Sequence, residues 1–439
     1  MFIAAQAVLL SNPGYFCHDE IELLDRIRGL ALSELPLASP WDYGLFYRPL
    51  GYDAFLTTLW AFGDTPQLVH AVSVAEHLLC TGLVWLLVRR TVGARVAFWA
   101  AALFSVSALS VHAVAWAAAV YDRLATAWLL CGCLAWLRLL ESPRLGWGVG
   151  LVVCQIAALM CKESAAVLPL LCLVLQRTDR VRHRGTAVLV VLTSLCGAFA
   201  VWRVLGNPEQ ATSDSYALSV ESNVLRNALV YLSYPFAPVL RVGWNELGRT
   251  LSTAIGLALA AGFVVTTAAS LGRRRTFALL LLAVIPVLPV LLLPKAEGHY
   301  LYASSAAVAT ALAWAITTQR GGRWRAALSW GFAAVLVLHG IATQVLYSMD
   351  GRVVRRTYAD AAALVDATDR AGTCRFQVNG EPGTRIWVAR RILQPLRQLH
   401  GRPVSFSFAT SPEGARRGVR SLALSPDGSL RELLTTAPR

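Results

Sequence analysis

The chain has 439 residues, 56% hydrophobic and 15% charged, with 40 basic against 26 acidic residues and a net charge of +14. Apolar runs near twenty residues recur from Gln67 to Tyr347, which excludes a soluble globular protein and indicates a polytopic membrane protein. The basic excess forms no domain with interleaved aromatics, which argues against nucleic acid as a partner; many arginines occupy short loops between apolar runs instead.

In chain order, the run from Met1 to about Leu10 is apolar but too short to cross a hydrocarbon core of about 30 Å. It lacks a basic leading region and a small-residue cleavage site, which argues against a signal peptide. It reads as the tail of a first span that begins upstream. The long first loop, 11–66, carries His18-Asp19-Glu20 and Tyr47-Arg48-Pro49-Leu50, then an apolar stretch from Phe55 to Phe62 suited to lying on a membrane surface. Spans are predicted at 67–88, 96–117, 124–140, 146–161, 164–176, 186–204, 250–271, 276–294, 300–318 and 326–347, making about eleven with the first. The segment from Asn227 to Leu240 carries Pro235 and Pro238 and reads as an interfacial or re-entrant piece.

Arginine placement orients the spans. Arg89-Arg90 with Arg95, Arg138 with Arg144, the group Arg177, Arg180, Arg182 and Arg184, Arg273-Arg274-Arg275, and Arg320 with Arg323 and Arg325 occupy alternate connections. By the positive-inside rule these face the cytoplasm. The first loop, Asp122-Arg123, Lys162-Glu163 and Lys295-Glu297 then face outward.

After Tyr347 the hydropathy collapses, and residues 349–439 read as a small α/β domain. An amphipathic stretch from Tyr358 to Arg370 precedes a strand at Cys374–Val378, a helix from about Arg385 to Leu399, a strand at Val404–Phe408 and a hairpin around Pro426-Asp427-Gly428. Eleven spans put this domain outside the cytoplasm despite its fifteen arginines against eight acids, because long domains escape the positive-inside bias. The expected architecture is thus an all-α polytopic membrane domain over 1–348 and a small extracytoplasmic α/β domain over 349–439.

Of nine cysteines only Cys17 and Cys374 fall outside apolar runs, so no disulfide framework is visible. Cys131-Gly132-Cys133 has the wrong spacing for zinc and reads as packing. Only two of the 40 basic residues are lysines, Lys162 and Lys295, each near a glutamate at the end of an apolar run. A compact ammonium and a planar guanidinium are not interchangeable where geometry matters, and ionisable residues beside a bilayer core are functional by default. An ion-paired helix end is the plainer alternative. Asp19, Glu20, Arg48, Asp122, Arg123, Lys162, Glu163, Glu297 and His299, from several helix ends, gather on one face of the membrane. That arrangement suits chemistry on a charged amphiphile better than a conduction path.

At these residues the chain resembles the glycosyltransferase C superfamily, near the protein O-mannosyltransferases and the bacterial and animal relatives of the tetratricopeptide-containing transmembrane O-mannosyltransferases. The matching pieces, in order, are Asp19-Glu20, Tyr47-Arg48-Pro49-Leu50, His70 and His77, Ala113-Val114-Ala115-Trp116 with Asp122, Lys162-Glu163-Ser164-Ala165 with Pro169, and Tyr300-Leu301-Tyr302. The family usually has arginine two positions before the aspartate, where this chain has Val120, and Glu-Arg-Tyr where it has Glu297-Gly298-His299-Tyr300. No tetratricopeptide array follows.

The resemblance implies transfer of a sugar from a polyprenyl-phosphate carrier to an acceptor hydroxyl on a protein, lipid or polysaccharide, with inversion, on the periplasmic side of a bacterial inner membrane. Asp19 is the expected general base, with Glu20 as helper or orienter. The donor's phosphate and sugar would fall to Tyr47, Arg48, Asp122, Arg123, Lys162, Glu163, Glu297, His299 and Tyr300. The resemblance implies no certain cofactor, and Asp19 and Glu20 could take a divalent metal. Glu76 with His77 reads as a packed polar pair, and His112 and His339 as core residues. A transporter or flippase for lipid-linked sugars and a non-catalytic scaffold are the rival readings; the first should show inverted repeats or broken helices.

Overall fold

A computed structural model of the chain describes residues 3–15, 18–35, 47–176, 185–206, 220–237, 246–318, 322–368, 373–381, 383–409 and 419–433. Cys17, the arginines at 177–184 and Arg320 lie outside the described residues, as does the end of the piece predicted at 227–240.

The chain is a multi-pass membrane protein. Among the described residues five helices are long and apolar enough to cross a bilayer: Pro66–Thr91, Ala117–Glu141, Thr250–Leu271, Gly298–Thr317 and Gly322–Asp366. The helices run as α1 (Ala7–Leu10), α2 (His18–Ile27), α3 (Pro49–Phe62), α4 (Pro66–Thr91), α5 (Ala94–Val106), α6 (Ala108–Ala115), α7 (Val120–Glu141), α8 (Leu145–Cys161), α9 (Leu168–Gln176), α10 (Thr186–Gly206), α11 (Val220–Ser233), α12 (Glu246–Leu271), α13 (Arg273–Val284), α14 (Tyr302–Thr317), α15 (Gly322–Asp366) and α16 (Ile386–Leu393).

Local chemistry sets the ends of these helices. Pro66 opens α4 at a position where its missing N–H is no loss, and Arg89 with Arg90 closes it against the negative end of the helix dipole. Ser107 adopts an extended conformation between α5 and α6, and its side chain accepts the Leu109 N–H at 3.2 Å, capping the second helix.

Among the described residues, not all of the eleven crossing helices expected from hydropathy are found. The pair α5–α6 makes a sixth span only if its 51° bend is allowed, and Leu145–Cys161, Glu163–Gln176 and Thr186–Trp202 are shorter apolar helices. The span predicted at 276–294 divides into α13 and a 3-10 helix at Ile285–Val290, because Pro286 and Pro289 supply no N–H. The irregular backbone that follows is satisfied from α11. Asn223 donates to Leu292 O at 2.9 Å, and Asn227 donates to Leu291 O and Leu293 O at 3.0 and 2.7 Å. Irregular backbone at membrane depth is tolerated when protein covers it in this way.

The helix α15 continues without a break through residue 348, where the second domain was expected to begin, and its 45 residues reach from the bundle into the C-terminal sheet. Close approach matters here. A Cβ on Gly340 would meet Val106 O at 1.8 Å, so α15 lies directly on the α5–α6 break.

The sheet has five strands in the order β2-β3-β1-β4-β5: β1 (Cys374–Gly380), β2 (Gln398–Leu399), β3 (Arg402–Ala409), β4 (Arg420–Leu424) and β5 (Leu430–Glu432). β1 is parallel to β3 and β4, which pairs Phe376 with Phe406 and Val378 with Leu422. The predicted hairpin is β4–β5, antiparallel, with Gly428 at φ +87 in its turn. The predicted helix after Arg385 is shorter than expected, because β2 takes Gln398 and Leu399. One core joins Ile21, Leu24 and Ile27 of α2, Phe55, Leu56 and Leu59 of α3, and Val388, Ile392 and Phe376 of the C-terminal unit. α2, α3 and the C-terminal sheet therefore occupy the same end of the bundle.

Candidate active site

Four breaks in helical backbone bring the charged residues together at that end. Arg48 stands at the N-terminus of α3, Trp116 in extended conformation after α6, Lys162 in extended conformation after α8, and Glu297 in extended conformation before a 3-10 helix at Gly298–Leu301.

Two ion pairs, one buried and one half-buried, form the centre. Lys162 Nζ lies 2.5 Å from Asp122 Oδ1, with the residues 4% and 8% exposed. The same ammonium lies 4.4 Å from the Tyr300 ring centroid. Burial pushes the Lys162 ammonium below its ordinary pKa, and Asp122 draws it back. Arg48 forms a two-point fork with Glu163, Nε to Oε2 at 2.8 Å and Nη2 to Oε1 at 2.5 Å, and lies 5.3 Å from the Tyr121 ring centroid. Burial works against the Arg48 charge, but the Glu163 carboxylate outweighs it and holds the guanidinium pKa above its usual value. Beside Lys162 and Asp122 a narrow cleft, with about 20 Å³ open to water, descends between Leu129, Val167, Pro286 and Val290.

Arg123 behaves differently from the sequence expectation. All five N–H groups of its guanidinium meet protein acceptors. Nε donates to Glu76 at 2.6 Å, Nη1 to Ala113 O and to Trp116 O at 3.0 Å, and Nη2 to Ser73 Oγ and Ala117 O at 3.0 and 3.1 Å. With 2% exposure and its donors used, Arg123 staples the helix break at 113–117 and offers nothing to a ligand. Glu76 therefore pairs with Arg123 rather than with its neighbour His77, which meets the Tyr302 hydroxyl at 2.8 Å and Ser105 O at 3.2 Å.

Glu20 is fully buried, and its Oε1 accepts the Ala117 N–H at 3.1 Å, so it holds the same break from the other side. Asp19, one residue earlier on α2, is half-buried. Among the described residues no third ligand joins Asp19 and Glu20; the trio of metal-ligating groups that does assemble is His112, Glu297 and His299. The Tyr47 ring meets Trp202 edge-on at 4.8 Å between centroids. The His299 ring lies 4.1 Å from that of Tyr300, and the backbone N–H of Glu297 donates to the Tyr231 hydroxyl at 3.3 Å. The His18 side chain is outside what the structure describes.

Sequence reasoning missed four participants. Tyr121, the ring beside Arg48, directly precedes Asp122, and aromatic residues next to a charged helix start were a usable signal. His112 was read as a core residue, yet it lies 5.6 Å from His299 between ring centroids. From the C-terminal unit, Arg385 pairs with the buried Asp350, and Arg391 lies 3.9 Å from the same carboxylate. No local sequence signal linked that distant helix to the bundle.

Comparison with known proteins yields a family match. Residues 48–212 match the family model described as dolichyl-phosphate-mannose-protein mannosyltransferase. The Drosophila melanogaster protein O-mannosyl-transferase Tmtc1 is 33% identical over 138 residues, which are 31% of this chain and only 16% of that protein. These two findings bear out the resemblance read from the sequence. Among solved structures, ArnT from Cupriavidus metallidurans bound to undecaprenyl phosphate is 14% identical, covers 97% of this chain and 92% of its own, and has a TM-score of 0.47. The Archaeoglobus fulgidus oligosaccharyltransferase AglB, in complex with an inhibitory peptide and a dolichol-phosphate, is 12% identical over 92% of this chain and 64% of its own, with a TM-score of 0.47.

Proposed function

We propose that this protein is a membrane glycosyltransferase that moves a sugar from a polyprenyl-phosphate carrier to an acceptor hydroxyl, with inversion at the anomeric carbon. The carrying observation is two neighbouring ion pairs, the buried Lys162–Asp122 and the half-buried Arg48–Glu163, held together by the adjacent residues Lys162 and Glu163. Fixed cations held by carboxylates are what a carrier phosphate demands, and the match of residues 48–212 to a mannosyltransferase family supports the same reading.

In the proposed reaction the acceptor oxygen attacks the anomeric carbon as the bond from that carbon to the phosphate oxygen breaks. The acceptor proton passes to Asp19, and the carrier phosphate leaves with the bonding electrons. Asp19 is assigned as base because Glu20 is fully buried and engaged with Ala117, which suits Glu20 to orienting α2. Lys162 and Arg48 stabilise the leaving phosphate from fixed positions in a partly dry site, where such contacts are strongest. Asp122 and Glu163 hold those cations in place, and Tyr47, Glu297, His299 and Tyr300 line the donor's sugar and phosphate. Arg123 is left out of the donor set.

The proposal includes orientation. The bundle up to about 348 would be the catalytic membrane domain, and the C-terminal unit would lie on the periplasmic side of a bacterial inner membrane, at the active face. The core shared by α2, α3 and the sheet supports that common side. A transporter reading gains one observation, the broken helices at Ser107 and at Ile285–Val290. The two readings separate when purified protein in vesicles is given a labelled polyprenyl-phosphate sugar. Label in an acceptor supports transfer; label that crosses the bilayer still on its carrier supports transport.

A further inference from the structure

We propose that His112, Glu297 and His299 form a binding site for one divalent transition-metal ion, zinc by ligand preference. Their ligand atoms lie within 4.8 Å of one another. Two imidazoles and one carboxylate are a set that holds zinc by three protein ligands and leaves a fourth position open.

The site is built from two separate parts of the chain. His112 lies in the last turn of α6, next to the break at Trp116, while Glu297 and His299 flank Gly298 at the start of a 3-10 turn. Glycine between them permits a close approach. A Cβ on Gly298 would lie 3.0 Å from His112 Nδ1 and from the Tyr234 hydroxyl, so a larger residue would force those side chains to shift.

The surroundings are those of a metal site. His112 Nδ1 lies 2.9 Å from the Tyr347 hydroxyl. If Nδ1–H donates to that oxygen, the tautomer is fixed with the lone pair on Nε2. His299 is 5% exposed, and its Nδ1 has no hydrogen-bond partner among the described residues. Such an orphaned nitrogen calls for a reason, and a metal bond supplies it. Trp116 walls the pocket, its ring 4.8 Å from His299 and 6.3 Å from His112 between centroids.

Lys295 and Arg391 act on the Glu297 carboxylate. A dication added beside those cations leaves the site positive, so the open fourth position favours an anion. That this anion is the carrier's phosphate rests on the glycosyl-transfer reading; the metal binding does not.

The test uses full-length protein in detergent, stripped with a chelator and titrated with zinc against a chromogenic competitor, with no donor present. The expected result is one zinc per chain, with affinity at least tenfold weaker in His112→Ala and His299→Ala and about 10- to 100-fold weaker in Tyr347→Phe. Buried cysteines are the alternative zinc sink, so cobalt substitution of the wild-type protein gives a second reading that needs no variant. Nitrogen and oxygen ligation gives d–d bands without sulfur-to-cobalt charge transfer. Absence of stoichiometric metal, unchanged affinity in both histidine variants, or a strong charge-transfer band would each overturn the site. Stoichiometric metal in a protein that transfers no sugar would support the site and remove the glycosyl-transfer reading.

Discussion

Lys162 Nζ lies 2.5 Å from Asp122 Oδ1 while capped by the Tyr300 ring, which makes it a buried ammonium in a chain whose cations are otherwise almost all arginine. The site accommodates a compact charge between a carboxylate and a ring face. A guanidinium is broader and prefers a two-point fork. Lys162→Arg should therefore lower turnover by about 10²-fold through misplacement of the cation, and Lys162→Ala should add loss of donor affinity. Steady-state kinetics and donor binding of the two variants check this. Wild-type kinetics in the arginine variant would reduce Lys162 to a generic counter-ion for Asp122.

Arg123 is expected to act on stability rather than on chemistry. Replacing it by methionine strands the Glu76 carboxylate and the carbonyls of Ala113, Trp116 and Ala117, and breaking a buried pair of this kind costs about 3–5 kcal/mol. Thermal unfolding in detergent should show a marked drop in Arg123→Met, with donor affinity falling only as the folded fraction falls. Intact stability with lost donor affinity would return Arg123 to the donor site.

The fork from Arg48 to Glu163 predicts an asymmetric pair of variants. Arg48→Lys keeps the charge but loses the two-point geometry. Glu163→Gln keeps the shape and one acceptor but leaves Arg48 buried without its counter-charge. Donor affinity should fall in Arg48→Lys with little change in melting temperature, whereas Glu163→Gln should lower both. Equal, small effects in the two variants would mean that the fork is a surface contact of little weight.

Topology is open to a direct check. A reporter active only in the periplasm should work when fused after Arg439 and fail when fused after Arg182. The reverse pattern would put the active face in the cytoplasm, and with it the C-terminal sheet that shares a core with α2 and α3.

Much of this arrangement was legible because charges beside apolar runs carry position. Asp122, Lys162, Glu163, Arg48 and Tyr300 were assigned to one membrane face by hydropathy and loop charge, and the structure pairs Lys162 with Asp122 and Tyr300, and Arg48 with Glu163. The strands at 374–378 and 404–408 and the hairpin at Gly428 followed from alternation and turn residues. What was not legible has a common cause. Hydropathy counts apolar residues but does not see backbone breaks, so Pro286 and Pro289 were passed over and the bend at Ser107, which has neither glycine nor proline, left no trace. The direction of a side chain is equally invisible. Arg123 and Lys162 look alike as cations beside carboxylates, and only packing shows that one is consumed by carbonyl oxygens. His112 looked like any single histidine on an apolar helix until the strap at Glu297–His299 folded back onto it.

The most direct measurement is transfer from a labelled polyprenyl-phosphate sugar by purified wild-type protein beside Asp19→Asn, with donor binding measured on both. A general base contributes about 10² to 10⁴ in rate. The expected result is therefore label in the acceptor with wild type, a loss of that size in Asp19→Asn, and unchanged donor affinity, since asparagine keeps the shape of α2 and leaves the Glu20–Ala117 contact intact. Near-normal transfer by Asp19→Asn, or no transfer by the wild type with any polyprenyl-phosphate sugar, would contradict the assignment.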